Sequence, residues 1–351
     1  VFEFVADRFA DLQVLRYQIP VFENLDLNKK KLVYYLSQAG LSGRDIIFDQ
    51  NYKHNLKIRR TIEAIYETFP GDKTSDEFKL FDTYAKRVWF SNGIHHHYSS
   101  VKIIPEFSED YFRSLIDGVP EDKLPLEGFL SKNDFIEFFI PIIFDPNVDP
   151  KRVNKDDGVD NIQESANNFY EDVTQQEVES YYAAKKQKGN LQEPLWGLNS
   201  KLTKENGTIV EKVYKVGGMY SQALEKMVYW LEKATAVAEN ETQKKAFELL
   251  IEYYKTGDLK KFDEYCIAWV SDTTSTVDAI NGFIEVYGDP IGYKGSYESV
   301  VSFKDFDASK KYPVLLFQYS GPGSQNVTNA WGGGHFYWHQ QLTQQGYIVA
   351  V

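Results

Sequence analysis

Apolar residues recur every three to four positions through most of the first 275 residues. The clearest stretch is 242–255. Phe247, Leu250, Ile251 and Tyr254 fall there at i, i+3, i+4 and i+7, and Gly257 stands just past the end as a stop. Stretch 219–234 repeats the pattern with Leu224, Met227, Val228 and Leu231. Stretch 259–270 does so with Phe262, Tyr265, Cys266 and Trp269. The same period predicts helices over 30–38, 56–68, 76–89, 109–116, 132–140 and 161–188. Asn240 reads as a helix N-cap. Cys266 lies on an apolar stripe, so it reads as a small buried hydrophobe and not as a reactive thiol.

Three segments break the helical period. Residues 145–160 are rich in Asp, Asn and Pro and read as a loop. Residues 193–201 look irregular, with Trp196 exposed. From Gly282 the period changes to two. Phe283 to Tyr287 reads as a strand, ended by the turn Gly288-Asp289-Pro290. Alternation puts Ile284 and Val286 on a core face, and Phe283, Glu285 and Tyr287 on the opposite one. The last forty residues change again. Val314 to Phe317 reads as a strand buried on both faces. A Gly-Pro-Gly turn, a helix through Trp338 and Leu342 and a second apolar strand follow, which is the start of a βαβ unit. The class expected is α+β, predominantly helical.

Length and composition narrow the function. At 351 residues, and roughly 150 per domain, about two domains are expected. A net charge of −12 argues against a nucleic-acid partner. One cysteine excludes a disulfide framework and Cys-rich zinc modules. No run approaches the ~20 apolar residues of a membrane span, so no membrane partner is expected. Aromatic residues reach 15%, which suits packed helices or a cleft lined with rings. The chain opens on Val1 without a Met and closes inside an apparent strand, so it reads as cut at both ends. Cytoplasm is the favoured compartment, and the periplasm follows if a leader has been lost.

Several clusters resemble chemical sites. His95-His96-His97 with Tyr98 admits three readings: a metal site, a cleft-lining polar strand, or packing. The strand is favoured, because consecutive residues point apart and no carboxylate stands at ligand spacing. His335 and His339 have zinc spacing, but Phe336 stands where the general-base Glu belongs. Gly321-Pro322-Gly323 lacks the third glycine of a dinucleotide loop and loses an N–H at Pro322. The loop from Asp145 fails as a calcium loop at Pro150. Asn206, Asn240 and Asn326 open glycosylation sequons by pattern only. The most promising polar pair is Glu285 with Tyr287. A carboxylate on a cleft-facing strand can hold a cation such as a peptide's α-ammonium, although a solvated strand face has the same pattern.

Four stretches carry a specific resemblance. They are Phe9-Ala10-Asp11-Leu12-Gln13-Val14-Leu15-Arg16-Tyr17, the run from Phe90 to Tyr98, Tyr214-Lys215-Val216-Gly217-Gly218-Met219-Tyr220-Ser221, and Gly282-Phe283-Ile284-Glu285-Val286-Tyr287-Gly288-Asp289-Pro290. Residues 1 to about 311 resemble bacterial dipeptidyl peptidase III, a family of zinc-dependent exopeptidases that release N-terminal dipeptides from short peptides. The resemblance implies part of a two-lobe fold around a wide cleft, with a small β element near it. Most of the non-metal lobe would lie in this chain. It also implies that Glu285 anchors the substrate ammonium, that Tyr287, Tyr98 and Asn92 line the substrate site, and that Glu298 is a further cleft carboxylate. Zinc is the cofactor of the intact family member. The family's His-Glu-x-x-x-His motif does not occur in these 351 residues. No catalytic residue, metal ligand or bound zinc is therefore expected here, and the chain alone should be inactive.

Residues 312–351 resemble the start of the α/β-hydrolase domain of the dipeptidyl peptidase IV (prolyl oligopeptidase) family. Tyr319 would match the tyrosine that supports the oxyanion hole there. The expected division is thus 1–311 and 312–351, with a joint at 306–311 left by recombination or by sequence assembly. Two alternatives stand beside the zinc exopeptidase: a non-catalytic peptide-binding module, and a fragment of a serine dipeptidyl peptidase.

Overall fold

A computed structural model describes residues 2–16, 18–186 and 193–303, and the backbone of 314–316 and 348–350. The chain divides into two compact units, Val1–Lys304 and Asp305–Val351. The first opens with the hairpin β1 (Val5–Phe9) and β2 (Leu12–Leu15). Helices α1 (Pro20–Asn24), α2 (Leu27–Ser42), α3 (Arg44–Asn51), α4 (Asn55–Thr68), α5 (Asp76–Ser91), α6 (Glu109–Asp117) and α7 (Lys132–Phe144) follow. Then come β3 (Tyr170–Glu171), α8 (Gln175–Lys185), β4 (Ser200–Glu205) and β5 (Thr208–Val213). Helices α9 (Ser221–Thr235), α10 (Glu241–Thr256) and α11 (Leu259–Ser271) lead to the antiparallel pair β6 (Val277–Glu285) and β7 (Ser296–Phe303). In the second unit β8 (Val314–Leu316) pairs in parallel with β9 (Ile348–Ala350), as the βαβ reading expects. The predicted helix through Trp338 and Leu342 lies outside the described residues.

Three apolar clusters hold the first unit. Leu32 and Leu36 of α2 meet Leu224, Met227 and Leu231 of α9, Phe247 and Leu250 of α10, and Phe283 and Tyr297 of the β6–β7 pair. A second cluster joins α4 to α7 through Ile62, Phe81, Phe112 and Phe139. A third surrounds β4 with Phe169, Val178, Tyr182 and Leu202. Gly43, between α2 and α3, lets the sheet approach. A Cβ there would lie 2.1 Å from the ring of Tyr297.

Most predicted helices form, with Asn240 capping α10 and Gly257 ending it at φ 74°. Helix α7 continues through Pro141 to Phe144, beyond the expected end at Ile140, and buries Ile142 and Ile143. The helix expected over 161–188 does not start at Asn161. Asp160 and Asn167 bind backbone N–H groups there, and the helix begins at Gln175, after the N-cap Thr174, which forms a capping box with Glu177. Trp196 is not exposed but half-buried against two apolar clusters. Cys266 is half-buried rather than fully buried, and burial pushes its thiol up, which keeps it unreactive. The loop from Asp145 does hold a cation. It is the ammonium of Lys102, which donates to the carbonyls of Asp145 and Val148.

Candidate functional site

The β6–β7 pair places the carboxylates. Gly282 opposes Glu298, Phe283 opposes Tyr297, and Glu285 opposes Ser296. Two residues of β6 therefore face one of β7 at Ile284, which is a β-bulge. The bulge overturns the predicted alternation. Phe283 turns into the core with Tyr297, and both are buried, whereas Ile284 and Val286 are only half-buried. Beyond the bulge Glu285 escapes the buried face of Phe283. Glu285 and Glu298 are both half-buried and lie close enough to interact. Burial first, and then the charge of Glu285, push the Glu298 carboxyl up to about 6. A cation between the two would relieve that repulsion. Tyr287, two residues past the end of β6, is exposed.

The connection from Glu285 to Ser296 is held from inside. Asp289 is 1% exposed. One of its oxygens accepts from the Tyr170 hydroxyl at 2.6 Å and from the N–H groups of Tyr293 and Lys294 at 2.7 and 2.9 Å. The other accepts from the Ile291 N–H at 3.1 Å. Four donors on one buried carboxylate fix the turn that carries Tyr287. Lys294 is fully buried and donates to the hydroxyls of Tyr182 and Ser200. Both hydroxyls donate in turn to Glu211, which also pairs with Lys185. Burial drives the Lys294 ammonium down to about 7, against the pull of Glu211 and Asp289.

From the other side, Gln50 at the end of α3 reaches β7. Its amide donates to the carbonyl of Gly295 at 3.0 Å and accepts from the N–H of Tyr297 at 2.8 Å. One side chain thus supplies the two bonds of a neighbouring strand.

Asn92 and Tyr98 form a second group. Asn92 ends α5 in the left-handed region, φ 53°, and its carbonyl accepts from Asn51 at 3.0 Å. Next to it Gly93 has φ 144°, and a Cβ there would lie 2.0 Å from the amide of Asn55. Residues 94–103 then form a tight hairpin, closed by bonds from His96 N to Val101 O and from Ile103 N to Ile94 O. Tyr98 is exposed at its tip, its ring 4.5 Å from that of His97. Among the described residues, no hydrogen bond or ring contact joins Asn92 or Tyr98 to either carboxylate. The cleft-lining reading of His95 gives way to packing. His95 is 1% exposed, lies edge-on to Tyr52, and contacts the Asp149 carbonyl through Nε2 at 2.8 Å. Burial lowers it to about 4, so it stays neutral. His96 Nδ1 instead accepts from the N–H groups of Tyr98 and Ser99 and shapes the turn.

Sequence reasoning missed Gln50, Arg152, Asp289 and Lys294. Asp289 stood in a recognised turn, while no local signal marks the other three. Tyr319, His335 and His339 lie outside the described residues. Among the described residues no group of three or more His, Cys, Asp or Glu side chains could hold a metal ion. Zinc does not fit the described residues.

Residues 197–319 match the model of peptidase family M49, a span that holds Glu285, Tyr287 and Glu298. Dipeptidyl peptidase 3 of Rattus norvegicus is 33% identical over 99 residues, 28% of this chain and 13% of that protein. Dipeptidyl peptidase 3 of Homo sapiens is 33% identical over the same length. Dipeptidyl peptidase III from Caldithrix abyssi superimposes with a TM-score of 0.52 at 20% identity, covering 81% of this chain and 41% of that one. The enzyme from Corallococcus sp. strain EGB gives 0.53 at 18%, covering 82% and 41%. These superpositions show the fold, α+β and predominantly helical. The chain spans 41% of the solved structures it matches, and its aligned part spans 13% of the mammalian relatives. The M49 match extends past residue 311 into the segment that resembles the serine peptidases. Residues 197–319 are thus similar to peptidase family M49, and the curated relatives that match this chain are dipeptidyl peptidase 3 enzymes.

Proposed function

We propose that this chain binds short peptides by their N-terminal ammonium and is part of an exopeptidase that releases dipeptides. The observation that carries the reading is the carboxylate pair on the β6–β7 hairpin, Glu285 and Glu298. The charge of Glu285 raises the pKa of Glu298, and one bound cation would relieve that repulsion. A charge-assisted bond to the ammonium fixes the first residue of the peptide, so a reacting group elsewhere meets the chain at a set distance from its end. In this reading Tyr287, exposed two residues past Glu285, would flank the bound peptide, and Tyr98 and Asn92 would supply a second contact. Zinc belongs to the whole enzyme. Among the described residues no group of three or more His, Cys, Asp or Glu could hold it, and the role read here for this chain is peptide binding.

Calorimetric titration with tetra-alanine and with its N-acetylated form tests the reading. The free amine should bind, and acetylation should abolish binding. Equal affinity for the two forms contradicts it. Release of dialanine from tetra-alanine, above that of a Glu285→Ala control, would show that the chain also cleaves.

A further inference from the structure

The two groups of the candidate site are joined by one run of hydrogen bonds, and Arg152 stands at its centre. Its Nη1 donates to Asn51 Oδ1 at 2.7 Å, and its Nη2 donates to the carbonyl of His97, at the hairpin tip, at 3.2 Å. Asn51 in turn donates to the carbonyl of Asn92. The preceding residue, Gln50, holds β7 at Gly295 and Tyr297. The run therefore passes from the tip beside Tyr98, through Arg152 and the end of α3, to the strand opposite Glu285. The backbone of Arg152 is fixed as well. Its N–H donates to Ser100 O at 2.7 Å, and its carbonyl accepts from the N–H and the side-chain amide of Asn167.

The chemistry of this guanidinium is unusual. Both acceptors are neutral, the side chain is half-buried with Nε buried and without a hydrogen-bond partner, and among the described residues no ion pair offsets the burial that lowers its pKa. Burying part of a cation against neutral acceptors costs desolvation with no ion pair in return, so charge pairing does not explain its place. A planar fork that reaches two acceptors at a fixed angle does. A lysine head can also meet two acceptors, as Lys102 and Lys294 do, but without the planar, fixed spacing of the fork.

We propose that Arg152 is a positioning residue. Through His97 and Asn51 it sets the span between the hairpin tip that bears Tyr98 and the strand pair that bears Glu285 and Glu298. A peptide held by its ammonium at the pair then meets the Tyr98 ring at a fixed point along its length. This rests on the peptide-binding reading above.

The test uses the full chain with Cys266→Ser and spin labels at Ser99→Cys and Val300→Cys, both exposed positions. Pulsed electron double resonance should give one narrow distance in this parent. The distribution should broaden about twofold or shift with Arg152→Met, and narrow in part with Arg152→Lys. Should Arg152→Met fail to fold, Asn51→Ala cuts the same run one step along and carries the same expectation. An unchanged distribution in a folded variant overturns the proposal. In the second arm, Arg152→Met should weaken tetra-alanine about tenfold, and Tyr98→Ala should add nothing further. Additive losses overturn the positioning role. A broadened distribution in a chain whose parent binds no peptide overturns the peptide reading and leaves the span-setting role of Arg152 standing.

Discussion

The side-chain amide of Gln50 pairs with the backbone on both sides of Ser296, accepting from Tyr297 N–H at 2.8 Å while donating to Gly295 O at 3.0 Å. Gln50 is fully buried, and Ser296 is the residue opposite Glu285. A helix end therefore fixes the strand on which the carboxylate pair depends. Gln50→Leu leaves a buried N–H and a buried carbonyl unpaired. The expected loss is about 1–3 kcal/mol in a urea melt. A loss within the error of the melt would show that β7 does not need this contact.

If the proposed peptide site is right, Glu298 should make binding depend on pH. Its carboxyl ionises at about 6, above the ordinary 4.5, so in the free chain it is mostly protonated at pH 5 and mostly charged at pH 7. A peptide amine stays protonated over that range. Affinity for tetra-alanine should rise by up to about tenfold from pH 5 to 7. Glu298→Gln should flatten the rise. A profile already flat in the unaltered chain would contradict the assignment.

Lys294 makes stability depend on pH in the same sense, over a different window. Folding lowers its ammonium from 10.5 to about 7. Between those values the unfolded chain holds a proton that the folded chain has lost, so stability rises with pH. From this group alone the slope is at most about 1.4 kcal/mol per pH unit. Lys294→Met should remove it from urea melts between pH 7 and 9. A slope that persists unchanged in that variant would assign it to other groups.

The helical half of the fold was legible because helices bury one stripe, and residues such as Phe247, Leu250 and Tyr254 mark it at a fixed period. The caps Asn240 and Gly257 were legible for the same local reason. Pairings between distant segments were not. The hairpin of β4 and β5 turns at Asn206 and Gly207, both at positive φ, and passed as a sequon. The bulge at Ile284 breaks the alternation on which the strand reading relied, although Glu285 and Glu298 still meet across the pair. Gln50 and Arg152 act across long gaps in sequence, where neither period nor propensity carries a signal.

The most direct test of the account crosses one side chain with one end of the peptide. Tetra-alanine and N-acetyl-tetra-alanine are titrated into the chain and into Glu285→Gln at pH 7. The account predicts that Glu285→Gln weakens the free-amine peptide by at least about tenfold, the scale of a charge-assisted bond. It predicts no effect on the weak residual binding of the acetylated peptide. Equal losses for both peptides, or none for the free amine, would contradict ammonium anchoring by Glu285.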